Sequence, residues 1–213
     1  MAENWFQEEF DNEPPRTVAE LATDVVYRVP NCADVTVRRA LSNAYWEFCR
    51  RSSCLRHFRI HEMREGVADY PVIPWCGGRV DSVQRVSTRL FVLRENADYI
   101  VVDGDVVMVR LLPVPGASQY GTERLRIDFV EQPPHGSERA SRWFLEQWGH
   151  AVVSGALAEI YSMQNTPWYR PEVAIAERRA FQDAIGTAKM RGLSGASAGS
   201  GRMTAPDFST LAI

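Results

Sequence analysis

Residues 31–52 constrain the fold more than any other part of this sequence, because their apolar side chains recur with the period of an α-helix. The six residues on that face are Val37, Ala40, Leu41, Ala44, Tyr45 and Phe48. Polar and charged residues occupy the opposite face, so the segment is predicted to be an amphipathic helix over residues 33–52. A helix of this kind gains most of its stability by packing its apolar face against other elements. The rest of the chain must therefore supply elements that cover it.

Three further segments have the helical period, and they are predicted to be helices that pack with the first. Their predicted bounds are residues 17–29, 138–164 and 171–191. Thr17 and Glu20 have the spacing of a capping box at the start of the helix over residues 17–29. Gly149 and Gly155 lack a Cβ atom, so they allow another helix to approach the helix over residues 138–164 closely. Gly192 is predicted to end the helix over residues 171–191.

The hydrophobic period changes from 3.6 to 2 after Leu55 and returns to 3.6 at Ser137. The clearest alternation is at residues 124–129, where charged and apolar side chains take turns as in a half-buried strand. Residues 90–93, 99–102 and 106–112 are rich in branched residues and are also predicted to be strands. Residues 55–132 are therefore predicted to be a β-rich insertion of several antiparallel strands.

The predicted fold class is α+β: an α-helical bundle with a β-rich insertion and extended N- and C-terminal arms. The predicted parts are an N-terminal arm over residues 1–15, a helical bundle over residues 16–54 and 136–191, the insertion over residues 55–135, and a flexible C-terminal tail over residues 192–213.

Composition narrows the class of protein. Of 213 residues, 45% are hydrophobic and 24% are charged, which is ordinary for a globular chain that can bury a core. The net charge of −3 does not favour a general nucleic-acid binder, which would be strongly basic. The acidic start of the chain does not resemble a signal peptide, and we expect no membrane span, since no run of 18 apolar residues occurs. All but one of the 24 basic residues are arginine, which fits either a GC-rich genome or an interface-forming surface.

One spacing resembles a metal site. Cys54, His57 and His61 are spaced C-x-x-H-x-x-x-H. On a strand the two histidines would lie about 13 Å apart, too far to share one ion, and a fourth zinc ligand is not evident. We therefore expect no metal and no cofactor.

Catalytic centres are also not expected. Cys49 or Cys54 would need a histidine such as His135 or His150 nearby to act as a nucleophile, and Cys49 lies beside the apolar face of the first helix, where a core role is more typical. Residues 103–105, Asp-Gly-Asp, can be a carboxylate pair, but the pattern favours a hairpin turn. The G-x-S-x-G, G-x-G-x-x-G and P-loop motifs do not occur.

Both ends of the chain carry large apolar residues. Trp5, Phe6 and Phe10 lie among acidic residues, which predicts an arm that docks on a partner surface. A Gly/Ser-rich linker over residues 192–201 precedes an apolar terminal peptide. Its apolar residues are Met203, Pro206, Phe208, Leu211 and Ile213. The alternative at both ends is a frayed terminus with chance apolar residues.

About half of the chain, at its two ends, resembles the head-to-tail adaptor (connector) proteins of tailed bacteriophages. The opening stretches that carry the resemblance are LATDVV (residues 21–26), VPNC (29–32), RAL (39–41) and WEFCRRS (46–52). The closing stretch is PWYRP (residues 167–171), followed by Arg178, Phe181, Ile185, Ala188 and Arg191.

The resemblance implies a structural virion protein without enzymatic activity. It implies a ring of identical subunits, twelve-fold in that family, which joins the portal protein to a tail or nozzle protein in the neck of the virion. Genomic DNA would pass through its lumen without sequence-specific binding, and the apolar C-terminal residues 203–213 would bind the portal. The chain would be made in the host cytoplasm and contact no membrane. The rival interpretations are an enzyme or small-ligand-binding protein that uses the β-rich insertion as a pocket, and a stand-alone regulator.

Overall fold

The structure is a computed structural model, and it describes residues 16–75, 77–113 and 124–198. A 3-10 helix over Val18–Leu21 precedes the first α-helix. The α-helices are α1 (Ala22–Arg28), α2 (Asp34–Ser52), α3 (Arg142–Tyr161) and α4 (Pro171–Ala198). The strands are β1 (Arg16–Thr17), β2 (Arg56–Glu62), β3 (Asp69–Val72), β4 (Arg79–Ser87), β5 (Val92–Leu93), β6 (Tyr99–Val102), β7 (Val107–Leu111), β8 (Arg124–Gln132) and β9 (Arg139–Ala140).

The prediction of a helical bundle is wrong. The described residues form an α+β mix of helices and strands, and the strands build three antiparallel sheets. One of these sheets, the pair β1–β9, is absent from the prediction, and it joins the residues just before the 3-10 helix to those just before α3. Strands of two residues are too short to show a period, so the sequence pattern contains no sign of them. The helical period shows which face of a segment is buried, but not which elements cover it.

Four segments predicted to be helical are helices in the structure. The capping box also forms, with the backbone N–H of Thr17 donating to a carboxylate oxygen of Glu20 at 3.3 Å. The end of α4 differs from the prediction, because the helix continues past Gly192 to Ala198. A glycine costs a helix only about 1 kcal/mol relative to alanine, which is too little to end a helix that is already formed upstream.

The chain divides into two compact units. The first contains the described residues 16–48 and 135–187, and α2 lies at the centre of its core. The six residues of the predicted apolar face are all at most 4% exposed, which confirms that face. Phe48 on α2 packs edge-on against Phe144 on α3, with ring centroids 5.6 Å apart, and it also contacts Phe181 on α4. Aromatic contacts of this kind hold the three helices together.

The second unit contains the described residues from 49 to 134 and from 188 to 198. Its two sheets have the strand orders β2-β8-β4-β5 and β3-β7-β6, and every pairing within them is antiparallel. Leu125, Ile127 and Phe129 on β8 are at most 1% exposed, as the alternation predicts, and the core that they share includes residues of both sheets. Strand β3 is not among the predicted strands. Residues 103–106 connect β6 to β7, which confirms the hairpin interpretation of Asp103 and Asp105.

Candidate partner-binding surfaces

The hairpin between β4 and β5 is closed by Thr88. The backbone N–H of Thr88 donates to the carbonyl oxygen of Phe91 at 2.8 Å. The Thr88 side-chain oxygen accepts hydrogen bonds from the backbone N–H groups of Leu90 and Phe91, at 3.3 and 3.2 Å. The side chain of Thr88 therefore fixes the conformation of the turn, in the way that serine and threonine commonly do in loops. We name residues 88–93 the hairpin tip.

The hairpin tip exposes three consecutive large apolar side chains. Leu90 is 66% exposed, Phe91 67% and Val92 54%. Single exposed apolar residues are normal on a protein surface, but a contiguous group of them is typical of an interaction site. Because the hydrogen bonds of Thr88 fix the backbone of the turn, the positions of these exposed side chains are fixed as well. The hairpin tip is therefore the strongest candidate for a partner-binding surface in the second unit.

Positive charge flanks the apolar residues of the tip. Residues 84–94 contain three arginines and no acidic residue. The side chain of Arg94 is 81% exposed, and its Nε lies 3.5 Å from a carboxylate oxygen of Asp98. An ion pair this exposed contributes little to stability, so the charge of Arg94 is also accessible to a partner. The surface suits a ligand that combines apolar and acidic groups.

Strand β5 is the outermost strand of its sheet. It pairs with β4 at Val86↔Leu93 and Ser87↔Val92, and in the described part of the sheet no strand lies on its other side. An edge strand can pair with an extended segment from another chain. The sequence predicts a strand over residues 90–93, whereas only Val92 and Leu93 belong to one. The sequence signal for the tip is the uninterrupted apolar run between Arg89 and Arg94, which does not alternate as a half-buried strand would.

The first unit also exposes apolar residues on its helices. Tyr27 on α1 is 88% exposed, and Val35 on α2 is 77% exposed. Trp143 on α3 and Ile175 on α4 are about half exposed, at 50% and 55%. Each helix that buries one face in the core thus carries a large apolar side chain on its other side. These positions are candidates for contact with other chains.

A buried carboxylate and a histidine lie close together in the second unit. Glu131 on β8 is fully buried, and one of its carboxylate oxygens accepts a hydrogen bond from the backbone N–H of Trp75 at 2.8 Å. The Nε2 atom of His57 lies 3.7 Å from the same oxygen, which is too long for a hydrogen bond. Burial lowers the pKa of His57 more than the nearby Glu131 raises it. The guanidinium of Arg59 lies over the Trp75 ring, 3.8 Å from its centroid.

The three residues whose spacing resembles a metal site lie on or near β2. His57 and His61 are both on this strand, and Cys54 precedes it. Across the parts of the chain that the structure describes, no group of three or more His, Cys, Asp or Glu side chains could hold a metal ion. A hydrogen bond from Cys49 is the main cause that lowers the pKa of the Cys54 thiol. Cys49 itself is fully buried, as predicted for a core cysteine.

The predicted docking residues at the two ends of the chain lie outside the described residues. This applies to the aromatic residues of the N-terminal arm, Trp5, Phe6 and Phe10, and to the predicted portal-binding residues Met203, Pro206, Phe208, Leu211 and Ile213. They stay predictions.

No protein-family model matches the sequence, and no curated protein matches it. Among the helices that the structure describes, none has the length and apolar composition of a membrane span.

Proposed function

We propose that the chain is a structural subunit of a tailed bacteriophage, which forms an adaptor ring between the portal and the tail and surrounds the DNA channel. The observation that carries this proposal is the hairpin tip, where Leu90, Phe91 and Val92 are exposed on a turn held by Thr88. A defined turn with a contiguous apolar surface favours contact with another protein. A subunit that is completed by its neighbours needs such surfaces.

Apolar side chains on the helices are the second support for the proposal. Tyr27 and Val35 lie on α1 and α2, between the stretches whose sequence resembles phage adaptors, and both are more than three quarters exposed. Burial of side chains of this size contributes about 1.5–3 kcal/mol each. Contacts of this kind between copies in a ring would remove these side chains from water. The resemblance suggests twelve copies in the ring.

The charge of the chain fits a channel that DNA passes through. Contacts to many phosphates would retain the duplex, because each neutralised phosphate adds salt-sensitive affinity. A subunit with a net charge of −3 suits a lumen that holds DNA weakly and without sequence specificity. On this proposal the apolar C-terminal residues, from Met203 to Ile213, bind the portal, and the opposite end of the ring binds the tail or nozzle protein.

Quantitative mass spectrometry of purified virions tests the proposal. The chain is measured against the major capsid protein as an internal standard, in particles of the phage that encodes it. We expect a fixed copy number close to twelve per particle, and the same number after the particles have been washed in high salt. Absence from particles, or a copy number that changes with washing, would show that the chain is not a neck component.

A further inference from the structure

We propose that the hairpin tip of one copy binds the acidic N-terminal arm, residues 1–15, of a neighbouring copy. This inference rests on the proposed function for the association of copies, and it adds to that function a specific contact between subunits. Three features carry it: the apolar surface of the tip, its positive flanks, and the composition of the arm.

The N-terminal arm combines acidic residues with large aromatic ones. Residues 1–15 contain five acidic residues and no basic residue. Between the acidic residues lie three large aromatic side chains, Trp5, Phe6 and Phe10. Aromatic anchors supply most of the binding energy in many interfaces, and opposite charge around them increases the association rate and the specificity.

The hairpin tip offers matching groups to such a segment. Leu90, Phe91 and Val92 provide apolar contacts for the aromatic side chains. Arg89 and Arg94 lie on either side of them in the chain, where they can attract carboxylates. Strand β5 is an edge, so an extended segment can add to the sheet next to it. Aromatic residues interspersed with acidic ones can then place the aromatic groups on the tip and the carboxylates near the arginines.

The arm of a neighbour is the occupant that a ring favours. A contact between the tip of one subunit and the arm of the next is heterologous, and heterologous contacts form a ring when the rotation from one subunit to the next closes. Every tip and every arm then has a partner, and the apolar residues of both are removed from water. Fifteen residues span up to about 50 Å when extended.

Photo-crosslinking on the full-length chain tests this contact. Benzoylphenylalanine replaces Phe91, and this chain is mixed with unmodified chain that is labelled with nitrogen-15. The mixture is irradiated in rings assembled on portal-containing heads, and mass spectrometry identifies the peptides that are joined. We expect links from position 91 to residues 1–15 that carry the heavy label. Links confined to a single copy, links to other parts of the chain, or no links in assembled rings would overturn the inference.

Charge reversal provides a second test of the contact. In the photo-crosslinking chain, Arg89→Glu and Arg94→Glu together are expected to lower the yield of links to the arm by about tenfold, since two attractive pairs become repulsive. Glu8→Arg and Glu9→Arg in the labelled chain are expected to restore the yield. The matched control reverses two exposed arginines outside the hairpin, Arg64→Glu together with Arg179→Glu, and should leave the yield unchanged. A yield that falls equally with the control, or is not restored, would contradict the charge pairing.

The outcomes separate this inference from the proposed function. If rings form in virions but position 91 links elsewhere, only the arm–tip contact is wrong. If the chain forms no ring with the portal, both proposals are wrong.

Vesicles that contain phosphatidylserine test whether the hairpin tip binds an anionic membrane instead of the arm. We expect the full-length chain to stay in solution. Sedimentation with the vesicles that is lost in Phe91→Ser would overturn the inference in favour of a membrane.

Discussion

The Gly155→Ala substitution tests whether three helices of the first unit meet as closely as the structure indicates. A Cβ atom on Gly155 of α3 would lie 2.8 Å from the Phe181 ring on α4 and 2.9 Å from the Ala44 Cβ on α2. Carbon atoms pack at about 3.5–4.0 Å, so the helices or the ring must move. Phe181 is fully buried, and the Cβ of Ala44 is fixed to its helix backbone. There is therefore little freedom to relieve the clash.

Two opposing terms set the expected change in the free energy of unfolding. Overpacking of a well-packed core costs about 1–3 kcal/mol. Alanine is a better helix former than glycine by about 1 kcal/mol. The sum predicts a net loss of stability of about 0–2 kcal/mol for Gly155→Ala, in spite of its better helix propensity.

The matched control is Gly186→Ala on α4. Gly186 is also in a helix interior, and a Cβ atom built on it has no neighbour within 4 Å. Here only the helix propensity changes, so the variant should gain up to about 1 kcal/mol. The difference between the two variants isolates the packing term, because the propensity term is common to both.

Urea unfolding followed by far-ultraviolet circular dichroism measures both variants against the wild type. We expect Gly186→Ala to be the more stable of the two, and the gap in the free energy of unfolding to be about 1–3 kcal/mol. If Gly155→Ala stabilises the chain as much as Gly186→Ala does, then α2, α3 and α4 do not meet at Gly155, and the packing described for the first unit is wrong.

Three further predictions address the core, the pH dependence and the C-terminus. Leu41→Ala should cost about 2–5 kcal/mol in urea unfolding, because Leu41 is 1% exposed; a loss below about 0.5 kcal/mol, the size of a surface substitution, would contradict its burial. Burial lowers the pKa of His57 and of His61 below the ordinary 6.5. The unfolded chain therefore binds more protons than the folded chain as these histidines titrate. The free energy of unfolding should fall as the pH drops from about 7.5 to about 5. This fall should be smaller in His61→Gln, and an equal fall in the two proteins would exclude a contribution from His61. Deletion of residues 199–213 spares α4 and should leave the melting temperature unchanged while portal-containing heads fail to bind the chain; normal binding to heads would show that the portal contacts other residues.

The amphipathic face of α2 is predictable because six apolar residues share one helical period. The same kind of periodicity predicts the four helical segments and the alternating strand β8. The close approach at Gly155 is also predictable, since a glycine among the apolar residues of a helix lacks the Cβ atom that would keep a neighbouring helix away. These features depend on short-range patterns, in which the residue spacing itself contains the information.

The sheet arrangement and the hairpin tip are not predictable in this way. Pairing of β1 with β9 joins residues that are far apart in the chain, and no local pattern reports it. Glu131 is fully buried on β8, and its acceptance of the Trp75 backbone N–H depends on how the chain folds back between them. The apolar run at residues 90–93 indicates a strand, but Thr88 holds the first half of it in an exposed turn. The end of α4 lies beyond Gly192, because one glycine is too weak a signal to end a helix.

Cryo-electron microscopy of the virion neck, reconstructed without imposed symmetry, is the decisive measurement for the proposed ring. We expect a closed ring of this chain between portal and tail, with the DNA channel at its centre and the hairpin tip in contact with a neighbouring subunit. A neck in which no density fits the two units of this chain would refute the adaptor function.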